Sequence, residues 1–176
     1  MIQKSAALIV IACGLCGCVL PSAQTQWTEP KAAYVETAYT WAAGTGPAAI
    51  TGQAFLRTRG GDVKTCAGSD VKLVPDGVYT QEVLSLMLTG KSVTVADGFV
   101  AKKRVTQCDA QGNFRFDGLP QGKWLIQTNV TWEVPTQYYM DEQGGSLVQA
   151  VTTPGQGLVH AILSDRDFNV DHKVAF

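Results

Sequence analysis

The stretch DAQGNFRFDGLPQGKWLIQTNV, residues 109–130, decides the fold that the sequence predicts. It holds two turn signals, Asp109–Asn113 and Asp117–Gly122, and each turn leads into a run that alternates between apolar and polar residues. Five residues of the second run share one face: Trp124, Ile126, Thr128, Val130 and Trp132. The pattern predicts two neighbouring strands of an antiparallel sheet, with bulky side chains directed into a core.

The same period of two recurs on both sides of this stretch. The predicted strands are Ile50–Arg57, Val71–Val74, Ser92–Val95, Phe99–Val105, Phe114–Phe116, Lys123–Val134, Ser146–Thr152 and Leu158–Leu163. Thr80–Leu88 has helical spacing instead, which predicts a short helical insert capped by Thr80 and packed over one end of the sheet. Short strands separated by turns predict an all-β, antiparallel sandwich of about seven strands.

Residues 109–130 also resemble the hallmark of carboxypeptidase-regulatory-like domains, a family also called transthyretin-like or prealbumin-like. The shared features are an acidic turn, Gly-x-Phe-x-Phe, a Gly-Leu-Pro-x-Gly turn and a strand that begins with an aromatic residue. Gly52–Ala54 and Asp70–Val74 are similar to the first two strands of that family, so the resemblance covers about residues 48–165. It implies a transthyretin-like sandwich. It implies little about function, because the hallmark consists of turn and core residues. The chain is also similar to bacterial envelope proteins that carry this domain with a Thr-Cys-Ala-Gly motif.

The N-terminus has the features of an export signal, with Lys4 ahead of an apolar run, Ala6–Leu15. The residues Leu15-Cys16-Gly17-Cys18 resemble a bacterial lipobox, which implies cleavage after residue 17 and a lipid on Cys18. An ordinary secretory signal is the alternative. Because Val19 follows the cysteine, the family rule implies the outer membrane. We therefore expect a signal peptide at 1–17, a lipidated tether with a short helix at 18–47, and the sandwich at 48–176.

Two further cysteines, Cys66 and Cys108, remain in the exported part of the chain. An exported compartment is oxidising, so this pair predicts a disulfide that closes a loop of about 43 residues. The alternative is a two-cysteine metal or redox site, but the pair lacks CxxC spacing and neighbouring histidines.

The composition excludes several classes of function. There are 14 Lys and Arg residues against 15 Asp and Glu residues, and the net charge of -1 argues against nucleic-acid binding. The two histidines, His160 and His172, do not belong to any recognisable zinc or nucleophile motif, so we expect no catalysis, no metal and no cofactor. The basic run Lys102–Arg104 is expected to be a solvated strand end, and Asp109 to form an Asx-type turn rather than a cation loop.

Candidate binding residues lie in the segment Pro135–Gly145, which lacks a strand period and is predicted to be a loop. Tyr138, Tyr139 and Met140 are expected either to contact a partner or to cover one open end of the sandwich. We expect a non-enzymatic envelope lipoprotein, attached to the membrane by its lipid, whose sandwich binds a protein or a polymer. The alternatives are a structural subunit similar to the lipoprotein of type VI secretion, and a carbohydrate-binding module that uses Trp27 and Trp41.

Overall fold

The structure, a computed structural model, describes residues 27–170. Its elements are β1 (Trp27–Thr28), α1 (Glu36–Tyr39), a 3-10 helix (Thr40–Ala43), β2 (Ala48–Arg57), β3 (Val63–Thr65), β4 (Asp70–Pro75), α2 (Val78–Leu88), β5 (Ser92–Val93), α3 (Asp97–Val100), β6 (Arg104–Gln107), β7 (Asn113–Leu119), β8 (Gly122–Pro135), β9 (Met140–Thr153), β10 (Gly157–Leu163), a second 3-10 helix (Asp165–Asp167) and β11 (Phe168–Val170). The signal peptide expected at 1–17 and the expected lipidation site, Cys18, lie outside the described residues.

Two main sheets form the sandwich. In the first sheet, β2 pairs in parallel with β10 on one side. On its other side β2 pairs antiparallel with β7 along its first residues and with β3 along its last three. The second sheet has the order β11-β9-β8-β4-β6, and its neighbours are antiparallel. The all-β fold is therefore confirmed. The parallel pairing of β2 with β10 is an exception to the predicted antiparallel arrangement.

The main core lies between the two sheets, and the alternation in the sequence predicts it well. Phe114 and Phe116 from β7 are buried, as are Trp124 and Ile126 from β8. Gly112 and Gly118 have φ values of 79° and 68°, in the left-handed region that favours glycine. The turn before β7 and the irregularity near the end of β7, where its pairing with β2 shifts register, therefore depend on local backbone conformation, and the rest of the strand depends on burial.

A helical layer covers the outer face of the second sheet, where Val83, Leu84 and Met87 of α2 belong to one buried cluster with Leu125 and Val148. The insert predicted at Thr80–Leu88 is therefore a helix, but it covers the face of the sheet rather than its end. The prediction that Thr80 caps the helix is wrong. Thr80 lies inside α2, and its buried hydroxyl donates to the carbonyl of Pro75 over 2.7 Å.

Two predicted segments differ from the structure. The strand expected at Phe99–Val105 is wrong, because α3 occupies Asp97–Val100 and β6 begins at Arg104. Phe99 points its ring into the helical layer, which requires no alternation along the chain. The loop expected at Pro135–Gly145 is also wrong, since β8 continues to Pro135 and β9 begins at Met140. The hairpin ribbon, residues 131–144 of β8 and β9, is largely exposed at its outer end. Residues 135–143, on both sides of the tip, therefore show no period of two.

The predicted disulfide between Cys66 and Cys108 is confirmed, with a Cα–Cα distance of 5.7 Å. Cys66 follows β3 of the first sheet and Cys108 follows β6 of the second, so the bond links the two sheets. In residues 27–47, part of the expected tether packs on the sandwich: the backbone N–H groups of Lys31 and Ala32 donate to the carboxylate of Glu82. Among the described helices, none is long and apolar enough to cross a membrane.

Candidate functional site: two clefts at the end of the sandwich

Two adjoining clefts lie where β2 and β10 end, and both are lined by Arg57 and Asp165. Parallel pairing places the carboxyl ends of β2 and β10 at the same edge of the sheet. The chain leaves β10 and forms the 3-10 helix beside Arg57, whose backbone N–H donates to Oδ1 of Asp165 over 3.1 Å. This hydrogen bond holds the turn against the end of β2.

The larger cleft has a volume of about 610 Å³ and is bordered by Gln149 of β9. The side-chain nitrogen of Gln149 donates to the carbonyl of Ile162 over 3.2 Å, which connects β9 to β10. Its side-chain oxygen is buried and has no hydrogen-bond partner within residues 27–170. A buried acceptor without a donor is costly, and a rotation of the Gln149 side chain that exposes this oxygen to the cleft would let it accept from a ligand hydroxyl group. The remaining lining residues are Phe55, Arg57, Ile162, Ser164, Asp165 and Arg166.

The smaller cleft, of about 230 Å³, has an aromatic wall formed by Trp132. Trp132 pairs with Gln143 across the β8–β9 hairpin and is partly buried against the main core. Gly144 makes this packing possible. A Cβ at Gly144 would lie 2.8 Å from Cζ3 of Trp132, and the φ of 93° is itself unfavourable for other residues. Arg57 and Arg59 border the same cleft.

The residues predicted from sequence to contact a partner lie elsewhere, at the tip of the β8–β9 hairpin. Tyr138 is 85% exposed, Tyr139 64% and Met140 54%, so the rings do not cover an end of the sandwich. Thr136 closes the tip: its hydroxyl and its N–H both donate to the carbonyl of Tyr139, over 2.6 and 2.8 Å. Trp132 lies three residue pairs below Met140, about 10 Å along the ribbon.

The aromatic pair proposed for carbohydrate contact does not assemble. Trp41 packs edge-to-face against the buried Trp124, with ring centroids 4.8 Å apart, and therefore contributes to the core. Trp27 is 65% exposed and makes no ring contact among the described residues. Sequence reasoning placed Trp132 on the core face and missed its role in the cleft. Trp132 lies beyond Thr128, the last residue of β8 that pairs with β4. The sequence alone does not show where this pairing ends, because it depends on the relative lengths of the two strands.

The basic run is not the solvated strand end that the sequence predicts. Lys102 is 7% exposed, donates to the carboxylate of Glu36, and lies 5.9 Å from the ring centroid of Tyr34. The hydrogen bond with Glu36 raises the pKa of Lys102, and the same bond lowers the pKa of Glu36. Arg104 donates to the carbonyls of Ala42 and Gly44. These cations therefore attach the N-terminal segment to the sandwich.

Two other sequence predictions concern polar residues. The Asp109 carboxylate accepts hydrogen bonds from the backbone N–H groups of Gln111 and Asn113, so the Asx-type turn is confirmed. Hydrogen bonds from Asn113 lower the pKa of Asp109. His160 is an exposed residue of β10 that borders a shallow depression with Thr51 and Gln53. No cluster of metal-ligating side chains occurs in the described part of the chain.

Fold and clefts together define a β-sandwich with an open end lined by aromatic, amide and guanidinium groups. No protein-family model and no curated protein matches the sequence. Among solved structures, the chain is similar to one from Pseudomonas aeruginosa described as "a putative carbohydrate binding protein". The TM-score is 0.61 at 20% sequence identity, over 68% of this chain and 89% of that one. At this identity the likeness shows a shared fold.

Proposed function

We propose that this protein is a non-catalytic carbohydrate-binding module, with its ligand held in the two clefts at the end of the sandwich. The observation that carries the proposal is the joint presence of the Trp132 wall and the unsatisfied oxygen of Gln149. Saccharides present flat C–H faces that pack on aromatic rings, and hydroxyl groups that need oriented polar partners. The description of the P. aeruginosa protein supports the same ligand class.

The experiment that tests this function is a calorimetric titration of the purified chain with a panel of soluble oligosaccharides. Trp132→Ala should weaken binding at least about tenfold, because it removes the ring on which the sugar packs. Trp132→Phe, which keeps an aromatic face, should retain most of the affinity. Trp27→Ala is the matched control, since Trp27 is exposed but lies outside the clefts. Failure of the whole panel to bind would refute the proposal.

We include the envelope location in this proposal. Acylation at Cys18 would concentrate the module at the outer membrane, and the oxidised pair Cys66–Cys108 fits an exported protein. We also propose that the sandwich is a carboxypeptidase-regulatory-like domain with transthyretin-like topology, as the resemblance of Asp109–Val130 to that family implies. Cys18→Ser should shift the protein from the membrane fraction to the soluble periplasm, or leave an unprocessed precursor. Normal processing with unchanged fractionation would refute the lipid anchor.

A second candidate function is protein docking through the hairpin tip. It is favoured by the exposure of Tyr138, Tyr139 and Met140 at the end of a projecting ribbon. Aromatic and methionine side chains are enriched where proteins meet. An aromatic ring buries a large apolar area with few rotatable bonds, and the flexible methionine side chain adapts its shape to the partner surface. This docking is compatible with saccharide binding, because the tip residues do not line either cleft.

A further inference from the structure

The charge around the two clefts differs from that of the whole chain. Three arginines line them, Arg57, Arg59 and Arg166, against one carboxylate, that of Asp165. Over the whole sequence, by contrast, acidic residues outnumber Lys and Arg residues by 15 to 14. Positive charge is therefore concentrated at this end of the sandwich although the protein as a whole is nearly neutral.

These arginines do not form ion pairs within the described side chains. The ion pairs there join Lys102 to Glu36 and Arg115 to Asp117, both away from the clefts. The carboxylate of Asp165 directs Oδ1 to the backbone N–H of Arg57. Guanidinium groups present several N–H donors in a planar fork that matches carboxylate and phosphate oxygens. The clefts therefore offer donors for an anionic group.

The opposite wall has a different chemistry, which orients a ligand. Between Lys123 and Arg166 the sequence contains no Lys or Arg, and the ribbon that carries Trp132 includes Glu133 and Asp141. An anionic group is therefore favoured on the β2 side, next to Arg57 and Arg59, and disfavoured along the ribbon. A sugar ring on Trp132 with its acidic substituent toward β2 satisfies both walls.

We propose that the ligand is an acidic saccharide, whose rings pack on Trp132 while its carboxylate or other anionic groups bind Arg57 and Arg59. This inference rests on the proposed function and specifies the class of carbohydrate. The anionic group supplies the charge that the cleft lacks, and the ring supplies the apolar face that a simple anion does not have.

The test compares oligogalacturonate, its uncharged methyl ester and poly-glutamate of equal length, titrated against the full chain in low and high salt. We expect oligogalacturonate to bind at least about tenfold more tightly than the ester in low salt, and to lose that advantage as salt screens the charges. Equal affinity for acid and ester would overturn the inference but leave carbohydrate binding intact. No binding of either would overturn the inference, whereas the proposed function is refuted only if the whole oligosaccharide panel also fails to bind. Poly-glutamate binding as tightly as oligogalacturonate would also overturn the inference, because charge alone would then suffice.

A double variant, Arg57→Gln with Arg59→Gln, locates the effect. It should reduce affinity for oligogalacturonate about tenfold or more and affinity for the methyl ester by a much smaller factor, because the ester uses the guanidinium groups only as neutral hydrogen-bond donors. The fold should persist, since the structural hydrogen bond of Arg57 uses its backbone N–H, which glutamine retains. Arg115→Gln is the matched control, because this exposed arginine lies on β7 outside the clefts. An equal loss in the control, or none in the double variant, would contradict the assignment.

Discussion

The two halves of the β8–β9 hairpin share their strands but not their surroundings. In the first half, β8 also pairs with β4, from Trp124 opposite Pro75 to Thr128 opposite Val71, and the side chains facing the first sheet are buried. In the second half, residues 131–135 pair only with residues 140–144, and the ribbon projects past β4. A two-stranded ribbon is marginally stable alone. The comparison teaches that the first half holds the fold together and the second half is available for binding.

The largest expected effect that separates these halves is at Trp124. Its ring is 0% exposed, packs against Trp41, and donates from Nε1 to the hydroxyl of Thr153 over 3.1 Å. Trp124→Ala should lower the free energy of unfolding by about 3–5 kcal/mol, the usual cost of truncating a buried aromatic residue. Denaturant unfolding measures it, and Trp132→Ala serves as the comparison. An equal loss at Trp132 would contradict the division into a stabilising and a binding half.

The next effect concerns the disulfide that joins the two sheets. Cys66→Ser with Cys108→Ser should lower the free energy of unfolding by about 4 kcal/mol, because the unfolded chain regains the entropy of a long open loop. Unfolding followed with and without reductant provides the control, since reduced wild-type protein should match the double variant. Saccharide affinity below the unfolding transition should stay unchanged, because neither cysteine lines a cleft. A loss of affinity in the folded variant would show that the clefts depend on this link.

The smallest effect on stability is expected at the hairpin tip. Tyr138→Ala with Tyr139→Ala should change the free energy of unfolding by less than about 0.5 kcal/mol, as is usual for exposed side chains. The same variant should weaken capture of a protein partner from crosslinked envelopes, with Leu158→Ala as a control at an exposed site on β10. A marked fall in melting temperature would mean that the rings are structural, and undiminished capture would remove the tip from consideration.

Sequence reasoning predicted the packed half of the molecule better than the projecting half. Burial on one face of a strand leaves an alternating pattern, which is why β7 and the first part of β8 were predicted at the right positions. Trp132 continues the alternation of β8 as far as Val134, whereas the residues from Pro135 to the start of β9 are largely exposed and have no such pattern. Phe99 is an error of another kind. It is an apolar residue at the start of a run that was predicted to be a strand, but it lies in α3 and is buried in the helical layer.

Features that depend on neighbouring residues could be predicted from the sequence. Asp109 accepts hydrogen bonds from residues two and four positions later, and Gly112 has the left-handed backbone that the turn requires. The pairing of Cys66 with Cys108, which the structure contains, was predicted from the expectation of an oxidising compartment and from the few cysteines that follow residue 18. Such features need only local geometry or composition, and a single sequence contains both.

The position of the clefts, in contrast, depends on how the strands are arranged in the folded protein. One cleft is lined by Arg57, Trp132 and Asp165. They lie together because β10 pairs in parallel with β2 and because β8 extends beyond the end of its pairing with β4. Lys102 is likewise buried by a contact with Glu36, 66 residues earlier in the chain. Strand order and relative strand length depend on the free energy of the whole packed sandwich. The sequence around each cleft residue therefore contains no local pattern that predicts its neighbours in the fold.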